Sequence, residues 1–224
     1  MKNSKVIVGL TVGLLVSAGI LILFKKLRLS IFKRNLVSNA NKEWSLWGKQ
    51  LIVGGQVQDK GEFECSNIYR DRVGEYWRKG VNIAKDGCSN TPWSSAFISF
   101  LMRKSGAENE FPYSAAHNKY IRPFIQNRKQ NSKSNFKAYK INEQKPELGD
   151  LVCYSRESGV DYDTTRAYLG HCDLVVGVNK KQSNIEVIGG NVSDGVSKRI
   201  LSTDNKGYLN DNSNDWFTII KNSK

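Results

Sequence analysis

Histidine and cysteine are scarce in this chain: its 224 residues include two histidines and four cysteines. Four cysteines are too few for a small scaffold held together by disulfides in place of a core. Their spacing excludes more than their number does. His171-Cys172, Cys153 and Cys88 form no Cys-x-x-Cys or His-x-x-x-His pair, so no metal site and no cofactor is expected. A glycine-rich phosphate loop is missing, since Gly189-Gly190 lacks the required continuation, and no nucleic-acid-binding motif stands out. No internal repeat is found. Acidic residues are absent from positions 1–40, which hold Lys2, Lys5, Lys25, Lys26, Arg28, Lys33 and Arg34; thus +7 of the net charge of +13 belongs to this stretch and +6 to the other 184 residues. The excess favours anionic partners such as phospholipid or cell-wall polymer. What remains is a globular balance, 39% hydrophobic and 25% charged, which excludes general disorder.

Val6 to Phe24 is an uncharged apolar run of nineteen residues. As a helix it would extend roughly 28 Å at about 1.5 Å per residue, one hydrocarbon core. It continues past the small residues Ser17-Ala18-Gly19 to Phe24 and meets Lys25-Lys26, which favours an uncleaved single-pass anchor over a cleaved signal peptide. Gly9 and Gly13 form a small-xxx-small pair, which leaves the oligomeric state open. The basic residues that follow the run favour a cytoplasmic domain on the positive-inside rule. The cysteines Cys65, Cys88, Cys153 and Cys172 leave the side open, because an even count permits pairing without requiring it. The expected organisation is an anchor over 1–24, a basic juxtamembrane linker over 25–40 and a folded domain over 41–224.

Within that domain, Trp44, Leu46, Trp47 and Leu51 suit a helix from Glu43 to about Ile52, ended by Gly54-Gly55. Residues 68–80 suggest another helix. Asn127–Lys140 is polar and basic, without a hydrophobic period, and reads as an exposed loop. The second half changes period: Leu151–Tyr154 is a short strand, and Leu174–Val178 and Ile185–Ile188 form a hairpin around Asn179–Asn184. Helices first and strands later indicate an α+β domain.

Thr91–Gly106 carries the strongest helical signal. Thr91 suits the N-cap and Pro92 the first position; Trp93, Phe97, Ile98, Leu101 and Met102 recur at helical spacing, and Gly106 stops the helix. Ser94 falls in the first turn, where free N–H groups and the dipole favour an anion, so a nucleophile there has a ready oxyanion site. The alternative is a small polar residue that merely tolerates a helix start. The first residues of the GHCDLVVGV strand place His171 and Asp173 on one face, and the hairpin brings Asn191 within one residue of the position opposite His171. A histidine base needs a partner for its second nitrogen, and Asp173 and Asn191 are the two on offer. The alternative is a histidine bonded to a turn at a strand end.

These blocks, in order PWSSAFISF, FPYSAAHNKYI, PELGDLVCY, GHCDLVV and VIGGNVSDGVS, resemble an uncharacterised bacterial domain family that is itself similar to the CHAP and NlpC-type amidohydrolase and peptidase families. The resemblance covers roughly residues 40–220. It implies a papain-like fold, with a helical N-terminal part on a small antiparallel sheet, and amide or peptide cleavage in peptidoglycan by a membrane-anchored domain facing the cell wall. On the family pattern Ser94 stands where the cysteine nucleophile is usual, His171 where the base is, and Asn191 best matches the orienting residue, with Asp173 as a carboxylate alternative. Trp93, Tyr113 and His117 are expected as pocket wall or substrate contacts. Serine changes the requirement. A thiolate can sit beside an imidazolium, whereas a hydroxyl needs the histidine as base during attack, usually with carboxylate support. If only Asn191 reaches His171, the expectation becomes a binding or structural module of the same fold without turnover.

Overall fold

The structure, a computed structural model, describes residues 31–224; the expected span from Val6 to Phe24 lies outside the described residues. Residues 31–46 form helix α1. The part of the expected juxtamembrane linker that is described is thus helical, and Phe32, Leu36 and Ala40 are buried in the main core. The folded unit therefore takes in residues before position 41, because an i, i+4, i+8 apolar row puts all three on one face of α1. The helix expected over residues 43–52 ends early. Its chain turns at Gly48, whose φ is 75°, and enters strand β1, Leu51–Val53.

A tight hairpin at Gly54-Gly55 joins β1 to β2, Gln56–Asp59. Helix α2, Asn67–Glu75, continues into a π-helical turn, Tyr76–Val81. Helix α3 runs from Ser94 to Ser105 and ends at Gly106, whose φ is 95°. It is buried on every side as far as Met102, not only along its Phe97 and Leu101 face. Helix α4, Asn118–Lys129, follows. The segment expected as a loop up to residue 140 contains the end of α4 and strand β3, Phe136–Lys140, with Phe136 and Ala138 buried.

The remaining strands are β4 (Leu151–Ser155), β5 (Gly170–Asn179), β6 (Asn184–Val192), β7 (Gly195–Ser202) and β8 (Asp215–Asn222). All eight join one sheet in the order β2-β1-β7-β6-β5-β4-β8-β3. This corrects the expected small antiparallel sheet and, with it, the papain-like assignment. The sheet is α+β in class but eight-stranded and mixed, since β1 runs parallel to β7. The two strands at the β2 end of the sheet had little signal: β1 is three residues long and every residue of β2 is exposed. Among the described residues, no helix is long and apolar enough to cross a membrane.

The hairpin of β5 and β6 has the expected pairing at its loop end, Val178 opposite Ile185. A bulge between Val175 and Gly177 then shifts the register, so that Leu174 faces Ile188. Helix α3 packs on this hairpin, and the approach is close. A Cβ on Gly190 would lie 2.6 Å from Phe97 Cγ, and one on Gly189 would lie 1.9 Å from Asp173 Oδ1 and 3.0 Å from His171 Nε2. The Gly189-Gly190 pair is therefore the clearance that lets the strand pass both α3 and the His171–Asp173 pair.

Candidate active site

Ser94 opens α3 as its first helical residue, with Trp93 rather than Thr91 at the cap position. The Phe97 N–H donates to the Trp93 carbonyl at 2.9 Å, the first bond of this helix. The N–H groups of Ser94, Ser95 and Ala96 precede that bond and lie at the positive end of the helix.

The imidazole that meets Ser94 is that of His117. Its Nε2 lies 2.7 Å from Ser94 Oγ, and its Nδ1 is hydrogen-bonded to the Tyr120 hydroxyl. Two serines one turn apart on α3 tether the segment that delivers this histidine. Ser95 Oγ donates to the Ser114 carbonyl at 2.7 Å and Ser99 Oγ to the same carbonyl at 3.2 Å, while the Ser114 N–H donates to Ser99 Oγ. The chain then turns into α4, which starts immediately after His117 and carries Tyr120 within one turn of it. His117, expected as a substrate contact, is thus the partner of the hydroxyl. The signal for it lay in the Ser95/Ser99 spacing and in the FPYSAAH block, each of which serves a contact distant in sequence.

His171 sits beside this pair, its ring centroid 5.2 Å from that of His117, but both of its nitrogens are engaged. Nε2 lies 2.8 Å from Asp173 Oδ1 and Nδ1 lies 3.0 Å from an Arg156 terminal nitrogen. A carboxylate only accepts and a guanidinium only donates, so the proton is on Nε2 and Nδ1 is bare. Asp173 Oδ2 accepts from Arg199, whose Nε is 2.9 Å away. His171 and Asp173 have no exposed surface. Burial pushes the Asp173 carboxyl up, but Arg199 and His171 outweigh it and hold the group below the usual carboxylate range.

Both imidazoles are neutral at neutral pH. Burial pushes His117 well below the ordinary imidazole value; a proton on His171 would push the same way, as the charge of Arg156 does, and Asp173 opposes them. Burial also lowers His171, and Asp173 partly offsets it. A neutral His117 with its proton on Nδ1, donated to Tyr120, leaves Nε2 to accept the Ser94 proton.

The other expected site residues part company with this cluster. Asn191 does not orient His171. It has a φ of 55°, at a point where the β6–β7 register shifts, and its Nδ2 donates to Glu64 Oε2 at 2.6 Å. The left-handed backbone turns the side chain out of the strand alternation from which it was placed. Trp93 is core rather than pocket wall. Its ring stacks on Trp47 at 5.4 Å, and its N–H donates to Glu64. Burial raises the Glu64 carboxyl, with the Trp93 bond opposing. Tyr113 lies under the Arg103 guanidinium, 3.9 Å from the ring centroid, and donates to the Glu108 carbonyl. Among the described residues, no group of three or more His, Cys, Asp or Glu side chains comes together as a metal-binding set.

All four cysteines are paired, Cys65 with Cys88 and Cys153 with Cys172. The second bridge joins β4 to β5 at the residue after His171. Comparison with known families matches residues 73–221, a stretch holding Ser94, His117, Tyr120, Arg156, His171, Asp173 and Arg199. The chain belongs to the DUF2272 family. That family is described as an uncharacterized protein conserved in bacteria. No curated protein and no solved structure matches the chain. The DUF2272 match begins within α2 and ends within β8, so it spans α3 and the four central strands but not α1, β1 or β2.

Proposed function

We propose that this domain hydrolyses amide or peptide bonds by acyl transfer through Ser94, with His117 as the general base, and that its substrate is the peptide part of peptidoglycan. The observation that carries this reading is the 2.7 Å contact between Ser94 Oγ and His117 Nε2 at the start of α3. As Oγ attacks the carbonyl carbon, its proton passes to Nε2, and the helix-start N–H groups face the developing oxyanion. His117 then gives that proton to the leaving amine. Water attacks the acyl ester with the same imidazole as base, releasing the acid and restoring the hydroxyl. Tyr120 holds the ring from Nδ1. The supporting negative charge is that of Asp173, which acts on His117 through space rather than through a bond.

Two further observations support the setting. The five sequence blocks resemble an uncharacterised bacterial family that is itself similar to amidohydrolases of this bond class. The pairing of all four cysteines suits an oxidising compartment, which favours the cell-wall side over the cytoplasmic one. The test is release of new free amino groups from purified peptidoglycan. Ser94→Ala and His117→Ala are each expected to lower the rate by about a thousandfold or more. Unchanged turnover by Ser94→Ala overturns the assignment.

A second reading, a module that retains its ligand without cutting it, draws on the burial of the cluster: Ser94 is 3% exposed and His117 4%. It predicts that peptidoglycan sediments the protein while no amino groups appear, and that Ser94→Ala binds as well as the parent.

A further inference from the structure

Arg156 connects the buried imidazole cluster to the surface. It follows the last residue of β4 and is exposed, whereas the ring it meets, that of His171, is fully buried. The backbone fixes it there. The Arg156 N–H donates to the Leu169 carbonyl at 2.8 Å, one residue before β5 begins. Its terminal nitrogen lies 3.0 Å from His171 Nδ1, and its charge is felt by His117 as well. The guanidinium thus meets one imidazole directly and acts electrostatically on the other.

Its bonding is incomplete. The other site arginine, Arg199, is spent on Asp173 through two nitrogens. The nearest acid in sequence, Glu157, is taken by Arg166 at 2.6 Å and by the Leu169 N–H. No ion pair among the described residues involves Arg156; its one side-chain hydrogen bond there is to a neutral imidazole nitrogen. A guanidinium has five N–H donors in a planar fork that matches a carboxylate, so most of the donors of this exposed residue have no hydrogen-bond partner among the described residues.

We infer that Arg156 binds a carboxylate of the substrate next to the bond cleaved, which makes the preferred substrate a peptide with an acidic side chain or a free C-terminal carboxylate at that position. This rests on the hydrolase reading for the cleavage, but not for the recognition. When a carboxylate takes the fork, it neutralises the positive charge that lies 3.0 Å from His171 Nδ1, so the imidazole reports occupancy directly.

The experiment has two arms. In the first, paired peptides that differ only in a carboxylate or a carboxamide beside the scissile amide are compared by kcat/KM. The parent is expected to prefer the acid by about tenfold to a hundredfold, the range for charge-assisted hydrogen bonds. Arg156→Ala is expected to remove the preference mainly through KM, and Arg156→Lys to restore part of it. Equal rates for the two peptides with the parent, or an equal fall on both with Arg156→Ala, overturn the inference. In the second arm, Ser94→Ala protein labelled at its histidines is titrated with the same two peptides and followed by imidazole resonances. A shift of the His171 signals by the acid alone, lost on adding Arg156→Ala, upholds the recognition even if the parent shows no turnover. Absence of that shift refutes it whatever the turnover.

Discussion

His117 and His171 lie side by side at similar burial, yet their surroundings are of opposite kinds. His117 stands between two hydroxyls, Ser94 and Tyr120, at the junction of α3 and α4. His171 stands between two charged groups, Asp173 and Arg156, on the central strand β5. Hydroxyls can give or take a proton, so the first imidazole is free to change its protonation partner during a reaction. A carboxylate and a guanidinium admit one tautomer only, so the second is fixed. Proton-transfer capacity follows from the partners and not from the residue type. The strand-borne pair supplies charge and rigidity, and the helix-borne pair supplies the exchangeable proton.

The largest expected contrast between the two is in stability. Asp173→Ala leaves Arg199 buried without its counter-charge, and a loss of about 3–5 kcal/mol is expected from the denaturant midpoint at constant slope. A loss below about 1 kcal/mol would mean that the strand network is no brace. Next in size is the effect of acid. Both imidazoles titrate below the ordinary value of 6.5, so below that pH the unfolded chain binds protons that the native domain refuses. Stability is therefore expected to fall as pH drops below 6.5, by up to about 1.4 kcal/mol per unit for each histidine. Asp173 acts in a lower window. Its depressed carboxyl contributes stability above its ordinary 3.8, and that contribution is lost as pH falls below it. Urea midpoints at pH 7, 5.5, 4 and 3 separate the two, since only the last falls in the Asp173 window, and a flat profile from 7 to 5.5 contradicts the neutral, buried histidines. The smallest effect belongs to Tyr120→Phe. Removing the hydroxyl at His117 Nδ1 is expected to cost about 1 kcal/mol of stability and about tenfold in turnover. A cost as large as that of Asp173→Ala would erase the distinction between the two histidines.

Much of this arrangement is written in local patterns. The helix opened by Ser94 is legible from its apolar spacing and its closing Gly106, and the β5–β6 hairpin from its β-branched runs. The Asp173 partnership is legible from the strand period, since residues two apart share a face. Less legible are α1, whose apolar row reads as a linker beside a basic stretch, and the short strands β1 and β2, which lack alternation. Asn191 is misplaced by strand logic because a left-handed backbone and a register shift redirect its side chain.

From the chain alone came the positions of a hydroxyl at a helix start and a His-x-Asp on a strand. Which imidazole meets the hydroxyl was decided in three dimensions. Ser95 and Ser99 hold the carbonyl of Ser114, and this tether delivers His117, while Asp173 and Arg156 claim both nitrogens of His171. Periodicity reports which side of an element a residue faces. It carries no information on which distant side chain already occupies that space.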